Sequence, residues 1–484
     1  MPERGEPVGD LALVLHSHMP YVEGFGTYPF GEEWLFDAVA RSYLPVLDHV
    51  RDLTMTVSPV LADQLEAPGV AARMETFLRC YRLGAAERDS ETAQDELRPA
   101  AKAEAARYRR SVDRLSEVDG DVIAAFRETA RERNVALIPT AASHAVLPLV
   151  ATTAGRRLQI DAALRSHRRR FGAARGFWLP ECAYRAGIEP LLAERDLRFF
   201  CTDQSRHEGP LAALAPARAG DGVVGFTIDW ETVELVWAKG GYPSDGAYAE
   251  FHRLSMEGTR LWAVSGGAYA PAAAADRAGE HAAEFLDRVA SRLARFRAER
   301  GRAGLLTFAV DTELLGHWWS EGPLWLAAVL REAPERGIRL VTLPAALDRH
   351  EPESRALGES TWGEEKDLRT WDSPTVRDMA WAARRLELRL VNAVGAGELS
   401  PVSAERAARE LLALQASDWA FLDRREQAGD YPFQRSTGHA RALLEAIHSG
   451  RHRPVSSRAA EADAPDPRMR NLAPDLSLAP LLEP

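Results

Sequence analysis

Cysteine is scarce in this chain, with three residues among 484: Cys80, Cys182 and Cys201. They form neither a CxxC pair nor an even set. That argues against a disulfide framework and a thiolate zinc site, and leaves small buried hydrophobes as their expected role. Long apolar runs are missing too: none reaches the roughly 18 residues of a membrane helix. The start, MPERGEPVGD, lacks the charged-then-apolar layout of a signal peptide. The expectation is a soluble, cytoplasmic protein. Positive charge is outweighed, because 71 Asp and Glu against 60 Lys and Arg give a formal net charge of -11. Such a chain repels phosphate backbones and anionic lipid, so neither nucleic acid nor membrane is an expected partner and a neutral ligand fits better. No internal repeat is visible.

What is present points to an α/β protein. At this length one core is not enough, so two domains or a barrel with an appendage are expected. Short runs rich in β-branched and aromatic residues alternate with long amphipathic Ala/Arg/Glu-rich stretches, the pattern of strand-helix repetition around a buried parallel sheet. Seven strands are expected at residues 11–16, 55–61, 136–140, 176–179, 198–202, 305–310 and 340–343, enough for a closed or nearly closed barrel over residues 1–350. Two insertions interrupt it: a helical one at about 64–133, and a site-forming one at about 204–303 with a possible strand at 223–228 and a long helix at 279–300. Residues 351–484 read as a helical C-terminal domain ending in a loose tail.

The chemistry-bearing residues follow strand ends. Gly176-Phe177-Trp178-Leu179-Pro180-Glu181 ends an apolar run in one acid, and Leu305-Leu306-Thr307-Phe308-Ala309-Val310-Asp311 ends another in a second. In a parallel barrel the strands deliver their C-terminal ends to one face. That would gather His16, His18, His144, Glu181, Asp203, Asp311 and His317. An acid after a strand is ordinarily a helix cap or a salt-bridge partner, and Thr202-Asp203-Gln204-Ser205 is also a good turn. Paired acids among histidines suit glycosidic bond chemistry instead: one attacks the anomeric carbon and the other protonates the leaving oxygen. Carboxyls about 5 to 5.5 Å apart would give retention, and about 6.5 to 9.5 Å inversion.

Two further features bear on the ligand. The His16-Ser17-His18 element could instead begin a metal site, completed by His144, His207, Asp203 or Asp311; sugar contacts are the favoured reading. Twelve tryptophans are many, and Trp178, Trp237, Trp262, Trp318, Trp319 and Trp419 fall beside these segments. Aromatic faces stack on pyranose rings, although core packing is the ordinary fate of a tryptophan. The positions of Trp262, Trp319 and Trp419 favour a functional role.

Four segments carry a family resemblance: Leu15-His16-Ser17-His18-Met19-Pro20-Tyr21, Ser143-His144-Ala145-Val146-Leu147-Pro148, Trp178-Leu179-Pro180-Glu181-Cys182-Ala183-Tyr184, and Asp311-Thr312-Glu313-Leu314-Leu315-Gly316-His317-Trp318-Trp319. Over residues 11–449 the chain resembles glycoside hydrolase family 57, and within it the 1,4-α-glucan branching enzymes. The resemblance implies an incomplete seven-stranded (β/α) barrel with a helical insertion and an α-helical C-terminal domain. It also implies a retaining mechanism, no cofactor and no metal. Carried over, Glu181 would be the nucleophile and Asp311 the general acid/base. His16, His18, His144, Trp178, Trp262, His317, Trp319, Asp418 and Trp419 would contact an α-glucan such as amylose or a glycogen-like polymer. One segment departs from the family pattern: where the branching enzymes carry arginine-aspartate-proline-glutamate, this chain has Ile228-Asp229-Trp230-Glu231. Hydrolysis or 4-α-glucanotransfer, a metal-dependent hydrolase or deacetylase, and an inactive glucan-binding protein are the alternatives.

Overall fold

The computed structural model describes residues 6–26, 30–451, 469 and 471–482. Nine strands are assigned among them: β1 (Gly9–Ser17), β2 (Thr54–Val57), β3 (Ala136–Ile138), β4 (Gly176–Trp178), β5 (Phe199–Thr202), β6 (Ala217–Arg218), β7 (Val224–Thr227), β8 (Gly304–Asp311) and β9 (Ile338–Leu340). One sheet runs β3-β2-β1-β8 with β9 also on β1, and the other runs β4-β5-β7-β6. Every pairing is parallel except that of β6 with β7. Parallel bridges join Thr140 to Trp178 and Ile228 to Thr307, so the two sheets touch at both of their ends.

All nine residues of β1 are buried, as its unbroken apolar run requires of a strand covered on both faces. The long helix Pro271–Arg300 buries Phe285, Leu286, Val289, Leu293 and Phe296 in the same core as Leu11, Leu13 and Phe308. Helices Pro59–Leu65, Val70–Thr76, Gly84–Thr92, Arg98–Glu117 and Val122–Glu132 fill the first insertion. Past the strands, Arg377–Gly395, Pro401–Leu414 and Tyr431–Arg451 form a second apolar cluster, and Ser417–Arg424 packs Trp419 against Val376 and Met379 beside it.

Three expectations are corrected and one, the strand at 223–228, is met. The stretch 55–61 is not one strand: β2 stops at Val57 because Ser58 caps a helix that opens with Pro59. The last strand likewise lies earlier than 340–343, since Thr342 caps the helix Leu343–Arg349. The possible strand at 223–228 is a full member of the sheet as β7, paired to β5 and bridged to β8. Finally, residues past 350 return across the strand ends, with Glu353 bridged to Ala217 and Ser360 to Tyr184. Most of the expected loose tail lies outside the described residues. Of those described, Leu472 and Leu481 are buried in the helical cluster, so that part is packed down.

Candidate active site

The register of the parallel strands assembles the site. His16 on β1 has Thr56 of β2 as its partner on one side and Asp311 of β8 on the other. Trp178 ends β4 directly beneath, its ring stacked on His16 with centroids 4.9 Å apart. His144 and Glu181 sit in tight turns with φ of 61° and 60°, in the left-handed region that non-glycine residues avoid. Those turns place His144 against His16 and bring Glu181 Oε1 within 3.5 Å of His144 Nδ1.

A hydrogen-bond chain links these groups. His16 Nδ1 meets Thr56 Oγ1, and His16 Nε2 lies 2.8 Å from His144 Nε2. His144 Nδ1 lies 2.8 Å from Ser417 Oγ, and Ser417 in turn bonds Glu181. A carboxylate can only accept, so the donor sense follows: Ser417 donates to Glu181, His144 Nδ1 to Ser417, His16 Nε2 to His144, and Thr56 to His16. Trp362 Nε1 donates a second bond to Glu181 Oε2 at 2.8 Å. His18 stacks on His144 at 4.2 Å and bonds Ser58 and both carboxylate oxygens of Asp418.

The electrostatics separate the two acids. Burial raises both carboxyls, but Glu181 accepts two side-chain hydrogen bonds that favour its ionised form. Asp311 accepts none among the described residues. Burial, reinforced by the charges of Glu313, Glu181 and Asp418, pushes it well above the usual carboxylate range. Of the coupled pair, Glu181 therefore ionises first and Asp311 keeps the proton. Burial holds His16 and His144 well below the ordinary imidazole value, and the neighbouring His18 adds to this. Burial also acts downward on His18, but Asp418, Glu313 and Glu181 together raise it.

The structure brings together His16, His18, His144, Trp178, Glu181, Asp311 and Asp418. The other four expected residues have different surroundings. His317 faces Asp37 at 3.7 Å and packs on Trp318 and Phe251, and burial pulls it down to about 4. Trp262 lies under the Arg253 guanidinium, Trp319 is buried against Tyr248 and Trp325, and Trp419 is buried beneath Arg435. None of these four has a described contact with either acid. Asp203 is fully buried and held by Lys366 at 2.8 Å, the structural role its turn sequence allowed. Of the cysteines, Cys182 and Cys201 are buried as expected, whereas Cys80 is exposed.

Sequence reasoning missed Trp362, Ser417 and Glu313. Trp362 lies far from any strand motif and carries no local signal, whereas Ser417 adjoins Asp418 and Trp419, which were expected at the site. Glu313 was legible, being two residues past Asp311. It accepts the Tyr43 hydroxyl and the His18 amide, and its carboxyl is pushed up to about 7, chiefly by burial. The loop that holds it turns at Gly316, where φ is 101° and a Cβ would come within 1.9 Å of the Arg41 carbonyl oxygen. In the departing segment, Arg292 of the long helix pairs with both Asp229 and Glu231. Those two acids therefore receive a guanidinium from another element.

A parallel α/β framework whose strand ends bring two partly buried acids into one polar cluster is suited to an enzyme of glycosidic bond chemistry. The glycosyl hydrolase family 57 model matches residues 12–357, and a 1,4-alpha-glucan branching enzyme C-terminal model matches residues 379–472. This chain belongs to glycosyl hydrolase family 57. It is 33% identical to a 1,4-alpha-glucan branching enzyme of Thermococcus kodakarensis, over 90% of this chain and 72% of that protein. It is 31% identical to a probable 1,4-alpha-glucan branching enzyme of Mycobacterium tuberculosis, over 94% and 95%. The crystal structure of a GH57-type branching enzyme from Pyrococcus horikoshii superposes with a TM-score of 0.91 at 31% identity, covering 98% of this chain and 97% of that one.

Proposed function

We propose that this protein is a 1,4-α-glucan branching enzyme working by retaining transglycosylation. The observation that carries the reading is the asymmetry of the two acids: one is held by two donors, and the other is partly buried without any. Glu181 attacks the anomeric carbon of an α-1,4-linked residue while Asp311 passes its proton to the departing glycosidic oxygen. The donor chain then rests on Glu181 as a glycosyl ester. Asp311, now ionised, takes the proton from the 6-hydroxyl of an acceptor glucan, whose oxygen displaces Glu181 and forms the α-1,6 branch. Neutral His16 and His144 orient Glu181 through Ser417, and Asp418 holds His18 over them.

On this reading the two touching sheets form an incomplete seven-stranded (β/α) barrel extending over roughly residues 1–350, with residues 351–372 closing over its mouth. The helices from 377 onward form a C-terminal domain that delivers Ser417 and Asp418. The partner is an α-glucan such as amylose or a glycogen-like polymer, met in the cytoplasm. Among the described residues no helix is long and apolar enough to cross a membrane. Incubation with amylose, following reducing ends and α-1,6 linkages by proton NMR, tests the activity. New α-1,6 signal with few new reducing ends is expected. Reducing ends without branches would make the protein a hydrolase.

A further inference from the structure

Away from the acid pair, a cleft of about 370 Å³ opens between the helix Arg98–Glu117 and the turns at residues 44–49 and 320–324. Its wall on the helix is basic. Arg107, Arg110 and Arg114 recur at three- and four-residue spacing and so share one face, with Ser111 between them and His49 opposite. Leu44, Pro45, Pro323 and Leu324 form the other wall. Asp48 also lines the cleft, so its three arginines face one carboxylate and part of the basic charge is uncommitted. Arg110 and the His49 ring have no hydrogen bond or ion pair among the described residues. Arg107 donates to the Ser320 carbonyl and approaches Glu104 at 3.4 Å. Arg114 approaches Asp48 at 3.3 Å and bonds Glu117. In a chain of net charge -11 this is a local excess of cations with a cavity in front of it.

The lining decides the ligand class. It has no Phe, Tyr or Trp on which a neutral sugar could stack, so a second glucan subsite is a poor fit. Guanidinium forks match the oxygens of a phosphate, and the volume suits a small molecule rather than a macromolecular segment. We infer that this cleft binds a small phosphomonoester, with the phosphate on Arg107, Arg110 and Arg114 and the body of the ligand against Leu44, Pro45, Pro323 and Leu324. The inference is independent of the reaction assigned to Glu181 and Asp311.

Isothermal titration of the full chain with glucose 6-phosphate, inorganic phosphate and glucose tests it, with Arg110→Glu as the variant. Arg110 is exposed and without a described partner, so the charge reversal leaves the fold and the branching site intact. Saturable binding of glucose 6-phosphate is expected at a Kd of about 1 mM or tighter. It should weaken at least about tenfold in Arg110→Glu and persist in Glu181→Gln. Inorganic phosphate should bind more weakly because it leaves the aliphatic wall empty. No saturable binding, binding unchanged by Arg110→Glu, or binding of glucose as tight as that of its phosphate would each overturn the inference. Equal affinity for inorganic phosphate would overturn the part assigned to the aliphatic wall.

Discussion

His16 and His144 face each other Nε2 to Nε2 at 2.8 Å, a contact that exists only while one of the two facing nitrogens carries no proton. Both rings are buried and neutral, so the pair acts as a fixed dipole relay from Thr56 to Ser417. Protonating both would break the contact and with it the orientation of Glu181. The His16–His144 pair beside the nucleophile is therefore built to stay uncharged, while the carboxyls and His18 around it titrate.

Replacing either acid should remove the activity by different routes. Glu181→Gln keeps the shape and the left-handed turn but cannot form the glycosyl ester. Branching should fall by about 10³-fold or more on every substrate while the unfolding midpoint changes little. Asp311→Asn should be comparably inactive on amylose. On an aryl α-glucoside whose phenolate needs no proton, it should retain much of its first-step rate, seen as a burst of phenolate. Equal losses on both substrates would contradict the division of roles.

The donors to Glu181 set the acid limb of the pH profile. Hydrogen bonds from Trp362 and Ser417 favour the carboxylate and oppose the upward push of burial. Removing one in Trp362→Phe or Ser417→Ala raises the Glu181 pKa further. The acid limb of kcat/KM should move to higher pH, and the rate near neutrality should drop about tenfold or more. The alkaline limb, governed by Asp311, should stay in place.

Glu313 should act on the opposite limb. Its charge is among the causes that raise Asp311, second only to burial. Glu313→Gln keeps an oxygen for Tyr43 and the His18 amide and removes only the charge. The Asp311 pKa falls, so activity should be lost at lower pH on the alkaline side. The same group tilts stability. Its folded pKa of about 7 exceeds its usual 4.5, so the folded state binds the extra proton. Stability therefore declines as pH rises from about 4.5 to about 7. Denaturant midpoints of Glu313→Gln should lack that part of the slope.

The legibility of this molecule tracks sequence locality. The strands β1, β4, β5 and β8 announce themselves as unbroken apolar runs, and parallel register then brings His16 beside Asp311. The four residues with other surroundings differ for a physical reason. His317 finds its partners in Asp37 and Arg260, Trp262 in Arg253, and Trp319 in Tyr248 and Trp325, all brought in from segments distant in sequence from the strand ends. No periodicity announces those partners. Trp419 illustrates a finer limit: its neighbours Ser417 and Asp418 reach the site, while its own ring, on the next helical position, turns into Arg435. Trp362 and Lys366 belong to an irregular stretch whose position depends wholly on tertiary contacts.

That irregular stretch supplies the last prediction. Lys366 pairs with Asp203 at 2.8 Å and lies over the Trp230 ring, four residues past the tryptophan that bonds Glu181. Asp203 is fully buried, so Lys366→Met strands a carboxylate without its cation. The expected loss of folding stability is about 3 kcal/mol by denaturant titration, much of it the desolvation of the unpaired acid. Asp203→Asn combined with Lys366→Met removes both charges and should recover most of that stability. The tether on residues 362–366 stays cut in the double variant, so the shifted acid limb of Trp362→Phe should appear there too. A double variant that regains both stability and the native pH profile would show that Trp362 is held by the rest of its loop and that Lys366 matters only to the fold.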